Sequence, residues 1–345
     1  MNPPEFPADL PHICVVIPLF NSGGLIGDVL RGLPAFVRSI VVVDDCSQDD
    51  SFSIANQVVD ERMHIVRHAS NQGVGAATLS GYQKALELGA QIIVKMDSDN
   101  QMDPAYLVAL ITPVMTGQAD YAKGNRFTHA EALKTMPLLR RVGNAGLSLL
   151  TKAATGYWGI FDPTNGYTAL HASLVPQLDL ARIHRRYFFE SSMLVELGFL
   201  RAVVRDVEIP ARYANETSSL SEWKALFEFP PLLFKGFLRR LVVQHFVRDF
   251  GIFSTLLILG AGLSTFGLLF GLYHWYLSIK TMVIASTGTV MIATLPLILG
   301  SQLLIQALIV DMQNEPRQPL QVLNQQMDEI RARFATLTAE RKSPR

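Results

Sequence analysis

Short apolar runs alternate with amphipathic stretches along the first hundred residues. His12–Pro18, Ser39–Asp44, Met63–Val66 and Gln91–Met96 are rich in β-branched residues and read as buried strands. Between them, apolar positions at helical spacing predict helices over roughly 24–36, 50–60 and 74–89. A further strand is expected near 201–208. Strands alternating with helices imply an α/β fold, a mostly parallel sheet covered on both faces.

The pattern changes after Phe229. From there to Phe250 apolar and basic positions alternate at helical spacing, with Lys235 and Arg239 on one face and Arg240, Gln244 and Arg248 on another. This reads as an interfacial amphipathic helix, broken near Pro230-Pro231, lying at the headgroups of a bilayer. An ordinary amphipathic helix packed on a domain is the alternative. Ile252–Tyr276 and Met282–Val310 contain no Asp, Glu, Lys or Arg, and each is long enough to cross about 30 Å of hydrocarbon. The connector around Leu277–Thr281 holds only Lys280, whereas both flanks are basic. The positive-inside rule then places both flanks in the cytoplasm and the connector outside. In the tail, Leu320, Leu323, Met327, Ile330, Phe334 and Leu337 recur at alternating steps of three and four. That seam suits a coiled coil forming a homo-oligomer and packing on the rest of the chain equally well. The expected organisation is a cytoplasmic domain over 1–222, interfacial helices over 223–250, two transmembrane helices over 251–311 and a cytoplasmic helical tail over 312–345.

Composition narrows this picture little. In 345 residues, 30 Lys and Arg balance 30 Asp and Glu, so no general attraction to nucleic acid is expected. Cys14 and Cys46 form no CxxC pattern and read as small core residues rather than a disulfide. Met1–Pro11 has neither a basic n-region nor an apolar h-region, so it does not read as a secretory signal.

The candidate chemistry lies where the predicted strands end. Parallel sheets bind ligands beyond the carboxyl ends of their strands. Pro18-Leu19-Phe20-Asn21 follows the first strand, Asp44-Asp45-Cys46-Ser47 the second and Asp97-Ser98-Asp99-Asn100-Gln101 the fourth. Asp97 and Asp99, one residue apart, offer hard oxygen ligands suited to Mg²⁺ or Mn²⁺, with other positions left for water and a diphosphate. Helix capping is their alternative use, but Asp103-Pro104 already supplies a cap and a first-turn proline. Asp45 or Ser47 could simply cap the next helix. Asn71–Ala77, containing Gly73 and Gly75, leads into a helix. Its small residues would let backbone approach a ligand, and a tight turn explains them as well. No GxxxxGK[ST] pattern is present, which disfavours a P-loop NTPase. His64, His68, His171 and His184 form no ligand cluster and read as structural.

Taken in order, Val16–Asn21, Val43–Asp49, Asn71–Ala76 and Met96–Gln101 resemble the inverting family 2 glycosyltransferases of GT-A fold, which is Rossmann-like. Such enzymes more often carry Glu after the aromatic and Gly where Cys46 stands. The closer similarity is to the polyprenyl-phosphate branch, which includes dolichyl-phosphate mannosyltransferase and bacterial undecaprenyl-phosphate glycosyltransferases. Gly124-Asn125-Arg126-Phe127 and Pro137–Asn144 resemble its acceptor-phosphate segment, and Asp162–Tyr167 its Asp-x-x-x-Gly-aromatic stretch. The two C-terminal apolar segments resemble the bacterial members. The resemblance covers about residues 12–312.

The resemblance implies roles. Pro18, Phe20, Asn21, Asp44, Asp45, Asn71, Gly73 and Asp97 would bind the donor nucleotide, with Asp44 and Asp45 near base and ribose. Asp97, Asp99 and Gln101 would hold Mg²⁺ or Mn²⁺ and the diphosphate. Arg126, Arg140 and Asn144 would receive the acceptor phosphate, with Arg141 a rival to Arg140. Asp97, Asp99, Arg126 and Asp162 form the catalytic set. Asp162 is read as orienting the sugar or an acceptor arginine; a turn carboxylate before Pro163 is its alternative. Glu190 is either near the donor sugar or an exposed helix carboxylate. Arg212–Ser221 is either a loop closing over the donor or a linker.

The implied function is inverting transfer from a nucleotide sugar, UDP-hexose favoured, to undecaprenyl or dolichyl phosphate, for envelope glycan or glycoconjugate assembly. The setting is the bacterial inner membrane, with the catalytic domain and both termini cytoplasmic. Two alternatives stand beside it. A processive polysaccharide synthase would carry a Gln-x-x-Arg-Trp motif, and none of Trp158, Trp223 and Trp275 follows arginine. An inactive membrane scaffold would not need the carboxylate and arginine set.

Overall fold

A computed structural model describes residues 10–126, 138–210, 222–327 and 329–331. Arg212–Ser221 and the tail beyond 331 lie outside the described residues. Two compact units emerge, one formed by residues 1–234 with 316–345 and the other by Lys235–Glu315.

In the first unit seven strands are described: β1 (Ile13–Leu19), β2 (Ser39–Asp44), β3 (Met63–Arg67), β4 (Ile92–Lys95), β5 (Tyr121–Asn125), β6 (Thr168–His171) and β7 (Val204–Glu208). They form one sheet in the order β3-β2-β1-β4-β6-β5-β7. Only β6 runs antiparallel to its neighbours. The continuous apolar runs of β1 and β2 are buried at every residue, as a sheet covered on both faces requires. The helices between the first strands are α1 (Leu25–Gly32), α2 (Ser51–Gln57) and α3 (Val74–Glu87), followed by α4 (Leu107–Met115). Further along come α5 (Leu138–Thr155) and α6 (Phe189–Leu200).

Each sheet face has its own core. Ile26, Val29 and Leu30 of α1 pack with Leu107, Leu110 and Ile111 of α4 on one face. Ala77 and Tyr82 of α3 pack with Met193 and Leu197 of α6 on the other. Gly81 brings α3 against the sheet, because a β carbon there would run into the Val16 side chain.

One row across the α3 and α6 face prepares the site. Lys95 of β4 pairs with Thr168 of β6, which pairs with Lys123 of β5, which pairs with Asp206 of β7. Paired residues on adjacent strands point to the same face. One pleat deeper, the same strands present Ile93, Leu170, Tyr121 and Val204. The face therefore turns from apolar to charged in a single step, at the end where β4 and β5 finish.

The tail docks on this unit. Asp120, fully buried, accepts from the backbone N–H groups of Leu320 at 2.8 Å and Gln321 at 2.9 Å. Leu320 packs against the α3 and α6 core. Of the two uses open to the seam, its first turn is engaged with this first unit.

The second unit takes the C-terminal part of α7 (Glu222–Val242), α8 (Ile252–Thr281) and α9 (Thr287–Gln313). The expected break at Pro230-Pro231 is absent, since α7 runs through both prolines. Proline supplies helical φ but gives up an N–H bond and crowds the carbonyl four residues back; buried Phe229 and Leu233 anchor the helix on either side. The irregularity lies later, in a π-helical turn over Val243–Arg248. Arg240 leaves the expected basic face. It forms a bidentate pair with Asp311 at 2.8 Å for both contacts, and His245 meets the same carboxylate at 3.1 Å.

Helices α8 and α9 are long and apolar enough to cross a membrane, and only 17% and 11% of their most apolar windows are buried. Core helices of a soluble fold would be mostly covered. They meet through small residues, with Gly260 against Gly300 and Gly267 against Ala293. The connector falls at 282–286, later than expected. Lys280 stays helical, Met282 closes α8 in a left-handed conformation, and Ser286 caps α9 by accepting from Thr289 N–H.

Gly81→Ala should cost about 1–3 kcal/mol by pushing α3 off β1. Thermal unfolding of the variant against wild type checks this.

Candidate active site

The loops after β1, β2 and β4 are tied to one another. Asn21, held at φ 48°, accepts from Gln48 N–H at 2.8 Å and donates its own N–H to Ser47 Oγ at 3.2 Å. The Ser22 and Ser98 hydroxyls hydrogen-bond, joining the β1 loop to the Asp97–Gln101 segment. Pro18 lies inside β1, and Phe20 is exposed at its end. Cys46 adopts φ 65°, a left-handed conformation that glycine takes without strain. That accounts physically for the glycine more usual at this place.

Asp44 and Asp45 are buried and engaged by the protein itself. Asp44 accepts from Ser47 N–H at 3.1 Å and from Arg67 Nε at 3.0 Å. Arg67 also lies over the Phe52 ring, 4.2 Å from its centroid. Asp45 accepts from Gln72 N–H at 2.9 Å and Gly73 N–H at 2.7 Å, and contacts His68 Nδ1 at 2.7 Å. It therefore shapes the 71–73 turn, and neither it nor Ser47 caps α2, whose N-cap is Asp50. His68, read from sequence as structural, belongs to this network and reaches Ser80 Oγ through its other nitrogen at 3.0 Å.

Gly73 has φ +99°, and a β carbon there would lie 2.5 Å from the Arg185 carbonyl oxygen. Ala76 N–H donates to that oxygen at 3.1 Å. The small residues of 71–77 thus admit the protein's own 184–186 backbone. Asn71 precedes this turn and is exposed.

Beyond β4, Asp97 and Asp99 are both partly exposed. Asp97 accepts from the Lys95 ammonium at 2.7 Å, and the same ammonium reaches Glu190 at 3.1 Å. Burial works against charge on Lys95. The Asp97 and Glu190 carboxylates more than offset it, holding the amine above its ordinary pKa. Asp99 accepts from Gln101 N–H at 3.0 Å, which folds the segment back on itself. Asp103 caps the turn at Pro104, accepting from Ala105 N–H at 2.9 Å. Neither Asp97 nor Asp99 is needed to cap this turn, and each has one oxygen engaged by the protein, Asp97 by Lys95 and Asp99 by Gln101 N–H.

On the neighbouring strand end, Arg126 donates through Nε to Asp162 at 2.9 Å and through Nη2 at 3.3 Å. Asp162 is fully buried, whereas the arginine side chain is 42% exposed. Four residues on, a β carbon at Gly166 would lie 2.5 Å from Lys95 Nζ and 2.9 Å from Asp97 Oδ2. One short loop thus touches the arginine at one end and the strand-end carboxylate at the other. Arg140 and Asn144 lie on α5, as does Arg141, but their side chains are outside the described residues.

Lys123, three residues before Arg126, is fully buried, and its ammonium has no hydrogen-bond partner among the described residues. Burial lowers its pKa, while Asp162 and Asp206 pull the other way.

Residues 14–178 match the family described as glycosyl transferase family 2. A UDP-N-acetylglucosamine–dolichyl-phosphate N-acetylglucosaminyltransferase of Methanococcus voltae is 31% identical over 59% of this chain and 86% of its own. The chain belongs to glycosyltransferase family 2. Another relative of this family 2 chain, the polyprenol monophosphomannose synthase of Mycolicibacterium smegmatis, is 30% identical over 60% of this chain and 79% of its own. Among solved structures, glucosyl-3-phosphoglycerate synthase from Mycobacterium tuberculosis, in complex with Mn²⁺, UDP-glucose and phosphoglyceric acid, is 20% identical with a TM-score of 0.51. That match covers 67% of this chain and 79% of the other, and it shows a shared GT-A fold.

Lys95, Lys123, His68 and Arg67 had no place among the expected site residues of this glycosyltransferase. The lysines left a visible trace, since a lone lysine in a buried apolar strand needs a partner. His68 and Arg67 left none, because their partners Asp45 and Asp44 lie 23 residues away in sequence.

Lys123→Met should raise stability at neutral pH by about 1–3 kcal/mol, by removing a buried ammonium without hydrogen bonds. The lysine pKa is lowered on folding, so the unfolded chain binds more protons and the wild-type penalty shrinks as pH rises toward about 10.4. The gain in melting temperature should therefore narrow between neutral pH and pH 10.

Proposed function

We propose that this chain transfers a sugar, with inversion, from a nucleotide sugar to a polyprenyl phosphate at a membrane surface. One observation carries the reading. The Asp162–Gly166 loop joins the Arg126 guanidinium to the Asp97 carboxylate, so an anion-binding side chain and a cation-binding one share one wall. The relatives' names, dolichyl-phosphate and polyprenol transferases, fit a phosphate acceptor on a lipid. UDP-hexose is the favoured donor, and the Methanococcus voltae relative is named for a UDP-sugar.

The donor set at the strand end fits Mg²⁺ or Mn²⁺. Asp97 and Asp99 supply hard carboxylate oxygens, and Gln101 stands beside them. Among the described residues no three acidic, histidine or cysteine side chains converge as a full cage. A partial shell of one or two carboxylates suits an ion that keeps waters and substrate phosphates as ligands. Such an ion would supply Lewis-acid stabilisation of the departing diphosphate.

The protein's own groups do the remaining work. Arg126 presents a planar cationic fork suited to a phosphate, and Asp162 fixes its orientation. A lipid phosphate is already anionic at neutral pH, so it can attack the anomeric carbon without a general base. Asp162 is buried and bound to Arg126, which suits a positioning role better than proton removal. Asp44 and Asp45 act by shaping the loops around the nucleotide, with Pro18, Phe20, Asn21, Asn71 and Gly73 along the same rim. Arg140 and Asn144 complete the acceptor site from α5.

Helices α8 and α9 form the membrane hairpin, with basic flanks and both termini in the cytoplasm. At the far end of α8, Tyr273, Trp275 and Tyr276 are exposed and fit an interfacial aromatic belt. The proposed organisation is the catalytic domain over 1–222, interfacial helices over 223–250, the hairpin over 251–311 and the tail over 312–345.

The test is a transfer assay on the purified full chain with Mg²⁺, a labelled nucleotide-sugar panel and undecaprenyl or dolichyl phosphate. A lipid-extractable monosaccharide of inverted configuration is expected. Asp99→Asn should cut turnover on the order of a hundredfold, and full turnover in that variant would sink the metal assignment. Asp162→Asn should raise the acceptor KM more than the donor KM. A loss confined to kcat at saturating acceptor would point to a base instead.

A further inference from the structure

Lys95 occupies an unusual place for a cation. It closes the buried strand Ile92-Ile93-Val94-Lys95 and is 1% exposed. Its ammonium is held between two carboxylates from distant parts of the chain, Asp97 Oδ1 at 2.7 Å and Glu190 Oε1 at 3.1 Å. The loop above leaves it just enough room. Any side chain at Gly166 would collide with Lys95 Nζ at 2.5 Å and Asp97 Oδ2 at 2.9 Å, and would press on Glu190 Oε1 at 3.3 Å. Glycine at 166 thus protects this ion cluster.

The cluster alters what Asp97 can offer a divalent cation. Oδ1 is committed inward to an ammonium, so the carboxylate has one oxygen, Oδ2, for the cleft. A positive charge also sits against the same carboxylate and repels any second cation that approaches it. Glu190 is bound to the same ammonium and cannot add its charge freely. Asp99 has one oxygen occupied by Gln101 N–H.

We propose that Lys95 makes cation binding at Asp97 conditional on nucleotide. This rests on the transferase reading above. With Lys95 in place the two aspartates hold a divalent ion only weakly by themselves. A nucleoside diphosphate supplies the missing anionic oxygens, so ion and nucleotide enter and leave together. Lys95 touches neither substrate nor ion and acts through Asp97 and Glu190, as a positioning residue. In the empty enzyme it serves as an internal counter-ion, holding the carboxylates where the incoming complex needs them.

The experiment is a Mn²⁺ titration followed by electron paramagnetic resonance on the full chain in detergent, with and without UDP. Three proteins are compared: wild type, Lys95→Met, and Lys95→Met combined with Glu190→Gln, which removes one charge of each sign. Wild type should bind Mn²⁺ at least about tenfold more tightly with UDP than without. In both variants nucleotide-free Mn²⁺ affinity should rise by about tenfold or more, as Asp97 Oδ1 is released and the repelling charge is gone. A merely structural lysine would give the opposite, a weaker site. Unchanged or weakened nucleotide-free affinity in the variants would overturn the proposal. So would equal wild-type affinity with and without UDP, a result that needs no variant to fold. If wild type bound UDP but no Mn²⁺ under either condition, the metal reading itself would fall, and this inference with it.

Discussion

The whole site depends on placing like charges side by side without letting them repel one another apart. Asp97, Glu190, Asp162 and Asp206 crowd the ends of neighbouring strands. The protein answers with internal cations, Lys95 between Asp97 and Glu190 and Arg126 on Asp162. Buried charges are tolerable only when paired and hydrogen-bonded. That constraint explains why Lys95 stands in a strand that is otherwise apolar, and why Gly166 has no side chain.

The loops after β2 and β3 follow the same logic. Asp44 and Asp45 are buried, and their oxygens are satisfied by backbone N–H groups, by Arg67 and by His68. Carboxylates in that condition organise backbone. They hold the loops after β2 and β3 in conformations that Cys46 and Gly73 adopt at positive φ. The rim formed by these loops is therefore built by the two aspartates from behind.

The second unit applies charge pairing to a different task. Asp311, at the end of an apolar helix, binds Arg240 in bidentate fashion and also His245, all of them buried. This fastens the chain entering the hairpin to the chain leaving it. The tail then returns to the catalytic unit, where Asp120 receives the N–H groups of Leu320 and Gln321. The hairpin is thus closed by side chains where its chain enters and leaves.

What the sequence determined by itself was periodicity and local chemistry. Apolar runs of period two or continuous burial marked β1 to β4, and uncharged stretches marked α8 and α9, because those patterns arise from solvent on each residue separately. The Asp97–Gln101 segment was legible for the same reason, as polar residues following an apolar strand, whereas Gly124–Arg126 stood out only by its resemblance to the family's acceptor-phosphate segment. Tertiary structure alone decided the partners. Lys95 with Glu190, Asp45 with His68, Gly73 with the Arg185 carbonyl and Arg240 with Asp311 join residues far apart in the chain. Even the proline pair in α7 kept its helix through packing at Phe229 and Leu233. No local pattern encodes such contacts, because they exist only once the sheet and helices have brought distant charges within a few ångströms.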